Sequence, residues 1–169
     1  TWVGGNLRYD PGGAQKINLL KSALKKYENE ENTVLLFTDA YDVIFQNGKD
    51  QILDIFNKIV EKTSTDDFKT KVIISAEDLL WPDESLEDQF PTLDPKNSPA
   101  TNGALGKKYL CSGGIIGYAP EILKLINYRK DKIEDDEDDQ LFYQKAYLNK
   151  EIKNELGIVL DHYAEMFQN

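Results

Sequence analysis

The alternation of hydrophobic and polar positions predicts a chain in which helices and strands follow one another. Apolar residues recur with the spacing of an amphipathic helix from Ala14 to Tyr27 and from Asp50 to Lys62. Other segments are predicted as strands (Thr33 to Thr38, Lys71 to Ala76, Tyr109 to Tyr118, Ile158 to Leu160) or helices (Pro120 to Tyr128, Asp138 to Leu148). Strands separated by helices predict an α/β fold, with a mainly parallel sheet flanked by helices and ligands at the carboxyl ends of its strands.

One long segment, Leu79 to Lys107, interrupts this alternation. It contains four of the six prolines together with Trp81 and other apolar residues. Irregular segments of this length inside a compact domain are usually functional or disordered. Because the segment is rich in aromatic and apolar residues, we expect a packed binding loop. In it Trp81 could belong to the core or, if exposed, could hold a sugar ring.

Composition narrows the classes of function. The 169 residues fit one domain, and no stretch is long enough for a membrane span. A single cysteine, Cys111, excludes an intrachain disulfide framework, and a single histidine, His162, excludes a metal centre built from two or three histidines of this chain. The net charge of −10 argues against nucleic acid as a partner and favours cationic macromolecules.

The strongest candidate for chemistry follows the first predicted strand. Asp39 and Asp42, with Tyr41 between them, come directly after the apolar run from Val34 to Phe37. Carboxylates at this place and spacing suit Mg²⁺ or Mn²⁺, above all when a diphosphate supplies further oxygens. The alternative is a turn after a strand in which both acids are merely solvated.

Two further strands also end in charged residues. Glu77 and Asp78 follow the second strand, while Asp161 and His162 follow the last. His162 could complete a cation site with Asp39 and Asp42, although a lone histidine is more often structural. Such repetition after three strands favours convergence at one edge of the sheet.

Two other segments are candidates for binding. Glycines flank the first helix, and Lys16 in its first turn could add positive charge to a diphosphate site. The alternative is an ordinary glycine-containing loop. The acidic run from Glu134 to Asp139 could be a solvated helix start, because acids complement the helix dipole. Six acids in succession exceed that need, so the last two, Asp138 and Asp139, could point into the site.

Several motifs in this order resemble the glycosyltransferase domain of the procollagen lysyl hydroxylase/glycosyltransferase family. They are Trp2-x-Gly4-Gly5, Gly12-Gly13-x-Gln15-Lys16, Asp39-x-Tyr41-Asp42-Val43-Ile44, Ser75-Ala76-Glu77, Trp81-Pro82, Ser112-Gly113-Gly114-x-Ile116-Gly117, the acidic run before Gln140-Leu141-Phe142-Tyr143, Leu160-Asp161-His162 and Phe167-Gln168-Asn169. The resemblance covers nearly the whole chain, and it implies a GT-A fold and retaining, Mn²⁺-dependent transfer from a UDP-sugar to hydroxylysine or galactosyl-hydroxylysine in collagen.

The resemblance also implies roles for particular residues. The metal ligands would be Asp39, Asp42 and His162, and the nucleotide contacts would come from Trp2, Leu7, Lys16, Tyr41 and Asp39. Asp138 and Asp139 would face the donor sugar and the acceptor, with Trp81 on the acceptor side. Glucose transfer from UDP-glucose to galactosyl-hydroxylysine is the first expectation, and galactose transfer from UDP-galactose to hydroxylysine is the alternative.

Departures from the family pattern leave a second class of function open. Cys111 stands where the family usually has Asn before Ser-Gly-Gly, and Leu7 where Val is usual. A non-catalytic domain that binds collagen or a nucleotide therefore remains an alternative, as does a metal-dependent phosphohydrolase. The resemblance implies a single GT-A domain over residues 1–169, incomplete at both ends. It also implies the endoplasmic reticulum lumen, or a host cell if the source is viral, and it leaves a homodimer open.

Overall fold

The computed structural model describes residues 13–94 and 106–168. The strands are β1 (Val34–Thr38), β2 (Val72–Glu77), β3 (Tyr109–Tyr118) and β4 (Ile158–Asp161). The helices are α1 (Gln15–Leu24), α2 (Lys49–Thr63), α3 (Ala119–Ile126), α4 (Asp139–Leu148) and α5 (Lys150–Leu156), with short 3₁₀ turns at Lys25–Tyr27 and Glu84–Gln89. All predicted elements are present within a few residues of their expected bounds, and α5 was not predicted.

The four strands form a mixed sheet in the order β1-β3-β2-β4. β3 pairs antiparallel with both β1 and β2, while β2 and β4 pair in parallel. Three of the four strands therefore run in one direction, but only one of the three described pairings is parallel. The sheet is therefore mixed, and not mainly parallel as expected. β3 runs against its two neighbours because the 79–108 connection begins and ends at the same edge of the sheet.

The core lies on both faces of the sheet. On one face, alternate residues of β2 pack with α1, α3 and α4; on the other, Ile73 of β2 packs with Phe56 and Ile59 of α2. β2 is buried along almost its whole length, as expected for a strand covered on both faces. The two layers of helices hold the strand ends in fixed positions.

Local sequence explains where the helices near the site begin and end. The side chain of Asp138 accepts a hydrogen bond from the Leu141 amide and caps α4. Asn149 ends α4 and caps α5, which stops at Gly157 in the left-handed conformation. Within the described ranges, no helix is long and apolar enough to cross a membrane.

Candidate functional site

The carboxyl ends of β1, β2 and β4 lie at the same edge of the sheet, as the three acidic strand ends predicted. Asp39 follows β1, Glu77 ends β2 and Asp161 ends β4. The loop after β2 also begins at this edge, so that Trp81 is near the same end of the molecule. This edge is where an α/β sheet ordinarily binds its ligands.

Lys16 is at the centre of the site. Its Nζ lies 3.1 Å from Oδ1 of Asp39 and 2.7 Å from Oδ2 of Asp139. One cation therefore joins a strand end of β1 to the first residue of α4. The Asp139 side chain is largely buried, with only 11% of its surface exposed, so this pair is partly shielded from solvent.

The backbone brings the starts of α1 and α4 together. Gly13 forms an isolated antiparallel bridge with Asp138, and the Ala14 amide donates to the carbonyl of Glu137 over 3.1 Å. Lys16, in the first turn of α1, is thereby placed opposite Asp139. Gly13, part of the glycine motif predicted as an anion-binding feature, here lies against Asp138 and Asp139.

Gly13 is required at this junction for two reasons. Its φ of 74° lies in the left-handed region, which favours glycine. A Cβ atom there would come within 2.9 Å of Oδ1 of Asp139 and within 3.3 Å of Cε of Lys16. The close approach of the backbone is thus what allows the Lys16–Asp139 pair to form.

Electrostatics keep Lys16 charged. Burial by itself lowers the pKa of Lys16, but the negative charges and hydrogen bonds of Asp139 and Asp39 outweigh it and raise the pKa above its ordinary value. The ammonium group is therefore a permanent cation at neutral pH. Such a group can bind a phosphate as readily as a carboxylate.

A cavity of about 920 Å³ opens beside this cluster. Lys16, Asp39, Tyr41, Asp42 and Tyr143 contribute polar atoms or aromatic rings to its wall, and the rest of the wall is mostly apolar. Tyr41 is 92% exposed at this cavity. An apolar pocket with a few convergent polar groups is the usual form of a small-molecule site.

Asp42 lies between two cavities. It lines the large cavity and also a smaller one of about 210 Å³, on whose wall lie Gly113, Gly114 and the segment 165–168. The C-terminal segment reaches this place because the Asp161 carboxylate accepts three backbone N–H groups, those of residues 165–167. Asp161 therefore organises a turn, whereas sequence reasoning placed it among the converging strand-end acids.

His162 follows β4 at the same edge of the sheet, whereas Asp39 follows β1, and two strands separate β1 from β4. Its Nδ1 lies 2.7 Å from the carbonyl oxygen of Lys107, to which it donates if that nitrogen carries the proton. Burial lowers the pKa of His162, which favours the neutral ring. In that tautomer Nε2 keeps its lone pair, the form in which imidazole binds a metal.

The three residues proposed for Mn²⁺ are of types that bind this ion, but the structure does not bring their side chains together around one point. Among residues 13–94 and 106–168, no three His, Cys, Asp or Glu side chains lie close enough together to hold a metal ion. β1 and β4 are separated by two other strands, roughly 14 Å from axis to axis. Joint ligation by Asp39, Asp42 and His162 therefore stays a prediction, supported by two hard carboxylates and one neutral imidazole.

Trp81 is fixed in position through its backbone. Gln140 and Gln144 donate to its carbonyl oxygen over 2.9 and 2.8 Å, while 60% of the residue remains exposed. Gln140 also donates to Glu77 over 2.8 Å and accepts from the Ser112 amide over 3.2 Å. An aromatic face is thus held open to solvent by the helix that carries Asp139.

The remaining predicted residues divide into three kinds. Asp138 is brought to the site, but one oxygen of its carboxylate caps α4. Trp2 and Leu7 lie outside the described residues. Cys111 lies in β3 at the same edge of the sheet. Burial raises the pKa of its thiol, and hydrogen bonds with Gly113 and Ser75 offset this only in part, so the thiol stays protonated.

Sequence reasoning missed two residues of this site. Gln140 joins Glu77, Ser112 and Trp81, and Tyr143 lines the cavity one helical turn after Asp139. The helical spacing of Asp139 and Tyr143 was visible in the sequence and could have identified Tyr143. Nothing in the local pattern indicates the long-range contacts of Gln140.

Comparison with known proteins identifies the family of the chain. The family profile described as the PLOD GT domain matches residues 1–169. The chain is 40% identical over 168 residues to procollagen-lysine,2-oxoglutarate 5-dioxygenase 1 of Gallus gallus, a match that covers 99% of this chain and 20% of that protein. It is 38% identical over 167 residues to procollagen-lysine,2-oxoglutarate 5-dioxygenase 2 of Mus musculus, with the same two coverages.

A third relative extends the comparison to an insect. The chain is 39% identical over 168 residues to procollagen-lysine,2-oxoglutarate 5-dioxygenase of Drosophila melanogaster, again covering 99% of this chain and 20% of that protein. The chain thus spans about one fifth of the length of the curated relatives it matches. The profile match over the whole chain and these identities show that the chain belongs to the family of PLOD glycosyltransferase domains.

Proposed function

We propose that this domain transfers glucose from UDP-glucose to galactosyl-hydroxylysine in collagen, with retention of configuration. The observation that carries the proposal is the Lys16 ammonium group held between Asp39 and Asp139 at the wall of the large cavity. A cation and carboxylates beside an apolar pocket can bind a nucleotide diphosphate and face the sugar attached to it.

Lys16 would bind the diphosphate of the donor. Its charge is kept by the two carboxylates, and a phosphate oxygen entering the cavity would offer a third anionic partner. When bound by Asp39, Asp42 and His162, Mn²⁺ would supply Lewis-acid stabilisation of the UDP leaving group. Tyr41, exposed at the cavity, would pack its ring on the uracil or the ribose.

Asp139 would face the sugar, and Asp138 would hold the helix that carries it. Positive charge would develop at the anomeric carbon as its bond to the phosphate oxygen breaks and the bond to the acceptor oxygen forms, with the acceptor's hydroxyl proton passing to the departing phosphate oxygen. A carboxylate near that carbon stabilises the charge and can orient the attacking hydroxyl. The geometry favours Asp139 for this role, since its side chain reaches the cavity's cation while Asp138 caps α4.

Two features support a sugar-bearing, cationic acceptor. Trp81 presents an exposed aromatic ring, and its backbone is fixed by two glutamines of the helix that begins with Asp139. The net charge of −10 favours approach of a lysine-rich collagen segment. With such an acceptor, we place the domain in the lumen of the endoplasmic reticulum.

Binding of UDP in the presence of Mn²⁺, measured by calorimetry, tests the donor site. We expect one UDP per chain, with Asp39→Ala lowering the affinity by about tenfold or more because it removes a charged ligand. Asp54→Ala, on the exposed face of α2, is the matched control and should bind like the wild type. Equal affinity of Asp39→Ala and the wild type for UDP, or UDP binding that does not depend on Mn²⁺, would contradict the proposed site.

A further inference from the structure

The hydroxyl of Tyr143 is buried without a hydrogen-bond partner. Tyr143 is only 1% exposed, and within the described part of the chain its hydroxyl and Oε1 of Gln144 are the two buried side-chain polar atoms that lack a partner. Buried polar groups are nearly always paired, and an exception in a native structure calls for an explanation. Of these two residues, only Tyr143 lies at the wall of the large cavity.

The position of Tyr143 relates it to the charged cluster. It follows Asp139 by four residues on α4, and side chains with this spacing lie on one face of a helix. Helical side chains point toward the N-terminus, which directs the ring of Tyr143 toward Asp139. Burial raises the pKa of Tyr143, and the charges of Asp139 and Asp39 raise it further, so that the hydroxyl keeps its proton.

In this structure the Lys16 ammonium group is paired with both carboxylates, those of Asp39 and Asp139. A diphosphate that draws Lys16 toward itself would leave Asp139, a largely buried carboxylate, without its cation. An uncompensated buried charge is strongly unfavourable. A neutral donor kept nearby can offset part of that cost.

We infer that Tyr143 is a positioning residue of the donor site, whose hydroxyl donates to the Asp139 carboxylate when Lys16 turns to the diphosphate. This inference rests on the proposed function, since it assumes that a nucleoside diphosphate enters the cavity. It explains why a hydroxyl is kept in an apolar environment where phenylalanine would pack equally well. Without the diphosphate the Tyr143 hydroxyl has no hydrogen-bond partner, and with the diphosphate bound it donates to Asp139.

The test compares Tyr143→Phe with the wild type in two measurements, thermal unfolding and calorimetric binding of UDP with Mn²⁺. Without ligand, Tyr143→Phe should unfold at the same or a higher temperature, because it removes an unpaired hydroxyl. Its affinity for UDP should be about tenfold lower, the usual effect of losing a hydrogen bond to a charged group. Tyr128→Phe is the matched control: its hydroxyl donates to the Phe142 carbonyl, so this change should lower the unfolding temperature.

A double-mutant cycle with Asp139→Asn shows whether Tyr143 acts through Asp139. We expect Tyr143→Phe to weaken UDP binding in the wild-type background and to have little effect in the Asp139→Asn background, because the carboxylate is then absent. Additive losses, or unchanged binding by Tyr143→Phe, would overturn the inference while the donor site stands. Failure of the wild type itself to bind UDP with Mn²⁺ would instead overturn the proposed function, and the inference with it.

Discussion

At the scale of single residues, Lys16 shows how a few contacts can define the site. The residue belongs to α1, while its partners Asp39 and Asp139 belong to a strand end and to α4. The first turn of α1 is held next to the start of α4 by the backbone contacts of Gly13 and Ala14. The position of one ammonium group is therefore set by three separate parts of the chain.

Replacing Lys16 by Met should affect both stability and binding. Asp139 would keep its burial but lose its cation, which we expect to cost about 1–3 kcal/mol of unfolding free energy. UDP affinity should fall by about tenfold or more, because a charged hydrogen bond to the diphosphate is lost. Urea denaturation and calorimetry measure the two effects.

Lys21→Met, on the same helix, is the control for that change. Partial burial and the nearby Arg129 lower the pKa of Lys21, so its charge is not favoured by its surroundings. Its removal should leave UDP affinity unchanged and should not destabilise the protein. Loss of binding in both variants would mean that Lys16 acts only through the general charge of the surface.

Gly13→Ala should disturb the site through the backbone. A left-handed φ and a Cβ contact of 2.9 Å with Asp139 make the substitution strained, and we expect a loss of about 1–2 kcal/mol in unfolding free energy. UDP binding should weaken too, because Asp139 must move. In Gly48→Ala the new Cβ meets only Oε1 of Gln51, at the end of a side chain with several rotatable bonds, and φ is negative, so little change is expected.

At the scale of elements, the acidic run is partly explained by local structure. The carboxylate of Glu137 accepts a bond from Arg129 over 2.6 Å and another from the Glu134 amide over 2.8 Å. Its carbonyl receives the Ala14 amide. Glu134 and Glu137 thus brace the turn before α4, and Asp139 is the residue of the run that pairs with Lys16.

Glu137→Gln should change how stability depends on pH. Hydrogen bonds from Arg129 and Glu134 lower the pKa of Glu137 below its ordinary value of 4.5. Its contribution is therefore present above about pH 4.5 and is lost as pH falls toward the lowered pKa. Urea midpoints of wild type and Glu137→Gln should differ at pH 6 and converge on acidification; a difference that grew at low pH would contradict the assignment.

Gln140→Ala should loosen the connection between the sheet edge and the Trp81 loop. It removes bonds to Glu77, Trp81 and Ser112, and we expect a loss of about 1–3 kcal/mol from the groups left unpaired. Tryptophan fluorescence should report a more mobile Trp81. Gln89→Ala, an exposed change in the 3₁₀ turn, is the control; equal effects of the two changes would refute the bracing role of Gln140.

Much of the element order could be predicted because it depends on local patterns. The apolar runs of β1, β2 and β4 and the helical spacing of α1 and α2 are visible in the sequence. The direction of β3 could not be predicted, since a strand has the same pattern in either direction. That direction depends on how residues 79–108 connect β2 to β3, which no local pattern in the sequence determines.

The candidate site was predicted in its chemistry more than in its geometry. Lys16 was predicted for a diphosphate, Asp39 for a metal ion and Asp139 for the donor sugar or the acceptor. The structure brings the three side chains together, while their roles stay predictions. Asp138 was assigned to the site although it caps α4, and the turn organised by Asp161 was missed. A carboxylate looks the same in sequence whether it faces a ligand or a backbone amide.

At the scale of the whole molecule, the mixed sheet gathers its chemistry at one edge. Three strands end there, the 79–108 connection starts and returns there, and the first turns of α1 and α4 meet beside it. Among the residues that the structure describes, the opposite edge carries none of those singled out for chemistry. We propose that the edge where these strands end binds a UDP-sugar and passes its sugar to a collagen acceptor.

The measurement that tests this claim most directly is UDP release with Mn²⁺, comparing UDP-glucose with UDP-galactose and galactosyl-hydroxylysine with hydroxylysine. We expect turnover with UDP-glucose that requires galactosyl-hydroxylysine, is abolished in Asp39→Ala and is kept in Asp54→Ala. Turnover only with UDP-galactose and hydroxylysine would contradict the proposed sugar and acceptor. UDP binding without turnover for any pair would contradict the transferase itself and leave a binding domain.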